Sequence, residues 1–113
     1  MKFDFHWYDF NETDYMKVTE KDSTERPEDD IYGHICLTVG KYKFIIDVHY
    51  EFYSEDEQGF DLEVYTEVQP DGGHGVWIDG IRIYQKMDYR EFRFQAEKKV
   101  KELLEKESCL QGL

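Results

Sequence analysis

The chain has 113 residues, of which 40% are hydrophobic and 17% aromatic, and 26 acidic against 14 basic residues give a formal net charge of −12. This length suits one domain with a single core, and the aromatic content excludes a disordered chain. The surplus of carboxylates argues against direct binding to nucleic acid or to an anionic membrane, because phosphate contacts require Lys and Arg. A cationic protein partner, or solubility alone, is compatible with this charge.

The sequence predicts neither a membrane helix nor a signal or transit peptide. No apolar run reaches the roughly 18 residues that a membrane helix needs. Acidic residues lie between the aromatic ones of the first ten positions, unlike a signal or transit peptide. We therefore expect a cytoplasmic protein in which Cys36 and Cys109 are reduced.

The N-terminal segment predicts two short strands and a loop. Phe3, Phe5 and Trp7 alternate with polar residues, as in a strand with one aromatic face. Polar turn residues follow, and residues 15–19 predict a second strand, antiparallel to the first. Residues 20–30 contain one Pro and no apolar side chain, so we expect a mobile acidic loop there.

Residues 31–53 predict a β-hairpin that specifies its own register. Gly40 and Lys41 lie between two alternating runs, which is typical of a type II′ two-residue turn. Pairing Val39 with Tyr42 creates one apolar and one mixed polar face. The apolar face then holds the pairs Leu37 with Phe44, Ile35 with Ile46, Gly33 with Val48 and Ile31 with Tyr50.

Two further strands are expected after an acidic turn at residues 54–59. Residues 60–68 alternate between apolar and polar side chains, as in a half-buried strand antiparallel to the second hairpin strand. The Gly-rich residues 69–75 lack the Lys and Ser/Thr of a phosphate-binding loop. Residues 76–84 fit either one strand bulged at Asp79-Gly80 or a small hairpin on that dipeptide, and the short arms favour the bulged strand.

A C-terminal helix is predicted from about residue 88 to residue 107. Asp88 and Glu91 match the spacing of a capping box. An apolar stripe at helical spacing requires a partner surface, and the apolar face of the sheet provides one. The expected fold is therefore α+β: a single domain over residues 1–113, with a mostly antiparallel sheet of five or six strands and one C-terminal amphipathic helix packed on one face.

The negative charge lies before this helix. Residues 88–113 hold equal numbers of acids and bases, so the whole net charge comes from residues 1–87. No Lys or Arg occurs in residues 44–81. A sheet that needed only solubility would include lysines.

The strand pattern indicates where these acids point. If the even-numbered residues of the two central strands face the core, the odd-numbered acids share the opposite face. Two registers keep that parity and place Glu51 opposite either Asp61 or Glu63. The candidate binding residues are Asp47, Glu51, Glu55, Asp56, Glu57, Asp61, Glu63, Tyr65 and Glu67.

Such a face resembles nucleic acid in its charge spacing. Carboxylates lie about 5 Å apart on adjacent strands and about 7 Å apart along one strand, a scale similar to that of backbone phosphates, while tyrosines replace stacked bases. We expect a small non-enzymatic inhibitor that mimics nucleic acid and binds a basic nucleic-acid-binding protein or nuclease, as a phage-type anti-CRISPR or anti-restriction protein does. The alternatives are an immunity or antitoxin-like protein that neutralises a basic toxin, and an acidic face that is merely solvated.

A third and weaker hypothesis is a metal-binding or acid/base site. His34, Asp47, His49 and Glu63 share the predicted polar face and are residue types that divalent metals accept. The hairpin register also pairs His34 with Asp47, as acid/base chemistry requires. Because the face is open and has no paired nucleophile, we expect a surface His–Asp contact, no catalytic residue and no cofactor.

Overall fold

The computed structural model describes residues 2–20, 32–54, 57–67, 75–84 and 87–106. One antiparallel sheet has the strand order β1-β2-β3-β4-β5. Its strands are β1 (Phe3–His6), β2 (Tyr32–Val39), β3 (Tyr42–Ser54), β4 (Glu57–Thr66) and β5 (Trp77–Tyr84), and the helices are α1 (Glu12–Thr19) and α2 (Tyr89–Lys106). The predicted α+β class, with a C-terminal helix on an antiparallel sheet, is confirmed.

The β2–β3 hairpin has the predicted register. Val39 lies opposite Tyr42 and Gly33 lies opposite Val48. Gly40 has a φ of +60°, whereas Lys41 does not have a positive φ, which identifies a type II′ turn. The predicted pair of Ile31 with Tyr50 includes a residue outside the described part of the chain.

The predicted strand at residues 15–19 is wrong, because this segment belongs to α1. The Asn11 side chain accepts a hydrogen bond from the Asp14 backbone N–H (3.0 Å), and the Asp14 carboxylate accepts one from the Asn11 N–H (3.3 Å). This reciprocal cap gives hydrogen-bond acceptors to backbone N–H groups that have no partner within the helix. Tyr15 and Val18 lie three residues apart and are buried on one side of the helix.

Because residues 15–19 do not form a strand, β1 pairs with β2 instead. Phe3 lies opposite Val39 in this antiparallel pair. The predicted aromatic side, with Phe3, Phe5 and Trp7, is partly buried against the core. The expected mobile loop lies outside the described residues except for Glu20, which caps the end of α1.

The register between β3 and β4 differs from both predicted registers. Glu51 lies opposite Gly59. β4 begins at Glu57, which pairs with Ser54, whereas the sequence placed an acidic turn over residues 54–59. Because this connection is shorter than predicted, the partner of Glu51 lies two residues before Asp61 and four residues before Glu63, the two predicted partners. An even shift preserves the two faces, so the acids stay on the predicted side.

β5 is a single strand with a bulge near its start. Val64 lies opposite Asp79, but Tyr65 lies opposite Trp77, so Ile78 is an extra residue in β5. The bulged-strand interpretation is confirmed, and the bulge lies one position earlier than expected.

The two helices cover one face of the sheet. Asp88 Oδ1 accepts a hydrogen bond from the Glu91 N–H (2.9 Å), which confirms the predicted cap of α2. Phe92 of α2 and Phe60 of β4 are fully buried, with ring centroids 4.5 Å apart. Tyr15 of α1 stacks on the same Phe60 ring at 5.4 Å. Neither helix in the described ranges is long and apolar enough to cross a membrane.

Candidate functional site

We call the side of the sheet that faces away from the helices the open face. Cross-strand pairing places on it the alternate residues of all five strands, and among the described ones only Gly59 is buried. Its described side chains are Asp4, His6, His34, Cys36, Thr38, Lys43, Ile45, Asp47, His49, Glu51, Asp61, Glu63, Tyr65, Trp77, Arg82 and Tyr84.

The predicted binding residues fall largely on this face. The structure places there Asp47, Glu51, Asp61, Glu63 and Tyr65. Glu57 is exposed at the first position of β4, and Glu67 is exposed just after its last position. Glu55 and Asp56 lie outside the described residues. The structure thus brings the predicted acids together, and their role in binding stays a prediction.

Asp47 of β3 and Glu63 of β4 lie directly opposite each other. We call such a line of paired residues across the strands a row. His34 Nε2 lies 3.2 Å from Asp47 Oδ1, so the predicted His–Asp contact is confirmed, and His34 Nδ1 lies 3.6 Å from Asp9 Oδ2. On the other side, Trp77 Nε1 donates a hydrogen bond to Glu63 Oε2 at 2.6 Å. Neighbouring side chains therefore hold both carboxylates in place.

The next row contains a cation that the sequence analysis missed. Arg82 Nη1 lies 2.9 Å from Asp61 Oδ1 and 3.6 Å from Glu51 Oε2, and the guanidinium lies 5.6 Å from the Tyr84 ring centroid. Burial lowers the pKa of Arg82, but the hydrogen bond and the charges of these carboxylates outweigh it and raise that pKa. The alternation of Arg82 with the apolar Ile83 was the signal that could have placed it on the open face.

The open face therefore has two halves with different electrostatics. Glu51 and Asp61 share the guanidinium of Arg82. Asp47 and Glu63 instead contact histidine and tryptophan, and within the described ranges no Lys or Arg forms a salt bridge with either of them. Uncompensated negative charge is concentrated in this second half.

Aromatic side chains are exposed on and beside the open face. Trp77 is 53% exposed, Tyr84 61% and Tyr8 70%. The Tyr8 ring stacks on His6 with centroids 5.6 Å apart. Aromatic residues next to charged groups are enriched where proteins bind one another. The sequence analysis missed Trp77 and Tyr84 because it assigned no register between β4 and β5.

The hypothesis of a metal site gains no support from the geometry. Across the part of the chain that the structure describes, no group of three or more His, Cys, Asp or Glu residues could hold a metal ion. The register places His34, Asp47 and Glu63 in one row and His49 opposite Asp61 in the next row.

Comparison with known proteins identifies no relative. No protein-family model, no curated protein and no solved structure matches this chain. The charge and geometry of the open face are therefore the basis for inferring its function.

Proposed function

We propose that this protein is a non-enzymatic inhibitor that binds a basic nucleic-acid-handling protein and occupies its nucleic-acid site. The observation that carries the proposal is the open face, where Asp47 and Glu63 lie beside the exposed Trp77 without a compensating Lys or Arg in the described residues. A basic groove built for phosphates and bases offers complementary cations and apolar surface.

The spacing of the acids supports mimicry. Residues directly opposite each other on β3 and β4 have backbones about 5 Å apart, and residues two apart along one strand lie about 7 Å apart. Asp47 and Glu63 form a pair across the strands, and Asp61 lies two residues along β4. Exposed aromatic rings next to this array offer the stacking surface that bases offer in single-stranded nucleic acid.

The distribution of charge along the sequence favours the part of the chain before α2 as the docking side. Residues 88–113, which include α2 on the covered side, contribute no net charge to the −12 of the protein. A basic partner is therefore attracted to residues 1–87 rather than to α2, and salt weakens that attraction. An anti-CRISPR or anti-restriction protein in the cytoplasm is the setting we propose.

A pull-down tests the proposal. The tagged protein captures partners from a host lysate at low salt, a salt gradient elutes them, and mass spectrometry identifies them. We expect a basic nucleic-acid enzyme that elutes as salt rises and, once purified, loses its nucleic-acid binding when this protein is added. Simultaneous binding of nucleic acid and this protein would contradict mimicry, and recovery of a basic toxin would support the immunity-like alternative.

The structure also determines which variants to use. Glu51 and Asp61 hold Arg82, so changing them to Lys would disturb the sheet as well as binding. The double variant Asp47→Asn, Glu63→Gln removes two uncompensated charges and should weaken binding by roughly tenfold or more. The matched control, Glu102→Gln with Glu105→Gln, removes two exposed charges from α2 and should leave binding unchanged.

A further inference from the structure

The open face also carries information about which cation it recognises. We infer that Asp47, Glu63 and Trp77 bind the guanidinium group of an arginine side chain on the partner. The inference rests on the proposed function and names the chemical group that the same face would recognise.

The molecule itself shows how this face holds a guanidinium. Arg82 combines a carboxylate on β4, Asp61 at 2.9 Å, with an aromatic ring on β5, Tyr84 at 5.6 Å from the guanidinium carbon. A second carboxylate, Glu51 of β3, lies 3.6 Å away. Carboxylates on β3 and β4 with a ring on β5 therefore form one guanidinium site.

The same three strands carry these residue types a second time, in a different arrangement: two carboxylates share one row and the ring lies in the next. Glu63 follows Asp61 by two residues on β4, Asp47 of β3 supplies the second carboxylate, and Trp77 of β5 supplies the ring. A Cβ atom at Gly80 would lie 3.2 Å from Glu63 Oε2, so the carboxylate rests closely over the β5 backbone. The hydrogen bond from Trp77 then holds carboxylate and ring together on the exposed surface.

The chemistry of this second set favours arginine over lysine. A guanidinium is planar, donates several hydrogen bonds in a fork and stacks on aromatic rings, whereas an ammonium is a compact and strongly hydrated charge. The two oxygens of one carboxylate, such as that of Glu63, can accept such a fork. Trp77 is 53% exposed, and tryptophan is the most favourable partner for a stacked cation.

Two synthetic peptides of equal length and charge test the inference. One is a short arginine-rich peptide, and in the other every Arg is replaced by Lys, so that non-specific attraction is matched. Isothermal titration at fixed salt should give an affinity roughly two- to fivefold higher for the arginine peptide, the range expected for a stacked cation. Trp77→Ala should remove this preference while charge-driven binding persists, and Tyr8→Ala, another exposed aromatic, should retain it.

The outcomes separate this inference from the proposed function. Equal, salt-sensitive affinity for both peptides would overturn the guanidinium site and leave nucleic-acid mimicry standing. Binding of neither peptide at low salt would contradict both. Thermal unfolding of each variant checks the fold. If Trp77→Ala destabilises the sheet, Glu63→Gln is the second test: it keeps the size of the side chain and should also remove the preference for the arginine peptide.

Discussion

The two faces of the sheet are made from alternate residues of the same strands, yet they have opposite properties. On the covered face, Ile46 and Phe60 are fully buried beneath α1 and α2. On the open face, Asp47 and Asp61, each one position further along, are half-exposed and charged. Because the side-chain period of a strand is two, one segment carries both the hydrophobic core and the proposed binding surface. Mutations on the covered face should therefore affect stability, and mutations on the open face should affect binding.

The sharpest test of this difference uses two phenylalanines of α2. Phe92→Ala removes a fully buried ring that contacts Phe60 and should lower the free energy of unfolding by about 3–5 kcal/mol. Phe94→Ala changes a ring that is 59% exposed and should alter it by less than about 0.5 kcal/mol. Urea unfolding measures both, and equal losses would contradict the position of α2 on the sheet.

The buried Tyr15 makes stability depend on alkaline pH. Burial, and then the charges of Asp88 and Tyr50, raise the pKa of Tyr15 from 10.0 to about 12, and its hydroxyl donates to the Met87 carbonyl. Because the folded protein favours the neutral phenol, this contribution is complete below pH 10.0 and is lost as pH rises through about 12.

The expected loss is at most roughly 2 to 3 kcal/mol. Denaturant unfolding at increasing pH should show a shallower slope for Tyr15→Phe than for the parent protein. Tyr8→Phe, which alters a hydroxyl on an exposed ring, should keep the parent slope. An unchanged slope in Tyr15→Phe would show that Tyr15 is not the responsible group. Tyr89, whose pKa burial also raises, accounts for part of the remaining slope.

The cap of α1 has a smaller expected effect. Asn11→Ala removes the side chain that accepts from the Asp14 N–H and should cost about 1 kcal/mol of stability. Thr13→Ala, an exposed change within the same turn, is the control and should have little effect. Thermal unfolding compares the two variants, and equal melting temperatures would show that this cap does not stabilise the fold.

The smallest effect concerns the two halves of the open face. Arg82→Gln removes partly exposed ion pairs and should cost less than about 1 kcal/mol of stability. The same change releases Asp61 and Glu51, so affinity for the arginine-rich peptide should rise by a factor on the order of two. Lys43→Gln removes an exposed positive charge from the same face, and should produce a smaller rise because the ion pairs of Glu51 and Asp61 with Arg82 remain. A fall in affinity with Arg82→Gln would mean that Arg82 itself contacts the partner.

Local signals failed where packing overrides propensity. Residues 15–19 contain Tyr, Val and Thr, which favour strands. The helix forms because Asn11 and Asp14 cap its start and because Tyr15 and Val18 pack into the core. The capping pattern was visible in the sequence, with Asp in the position where Glu or Gln is more typical. The contact of Tyr15 with Phe60 was not visible, since β4 lies far along the chain.

The sequence by itself determined those features whose causes lie close together in the chain. The Gly40-Lys41 turn and the alternation on either side specify the β2–β3 register, and Asp88 with the apolar stripe specifies α2. Only the tertiary structure decided the rows of the open face. The short connection after β3 and the bulge in β5 set which residues become neighbours, and they place Arg82 against Asp61 and Trp77 against Glu63. A register shift of an even number of residues keeps each side chain on the same face but changes the residue opposite it. The face of each acid was therefore predictable from the sequence, and its individual contacts were not.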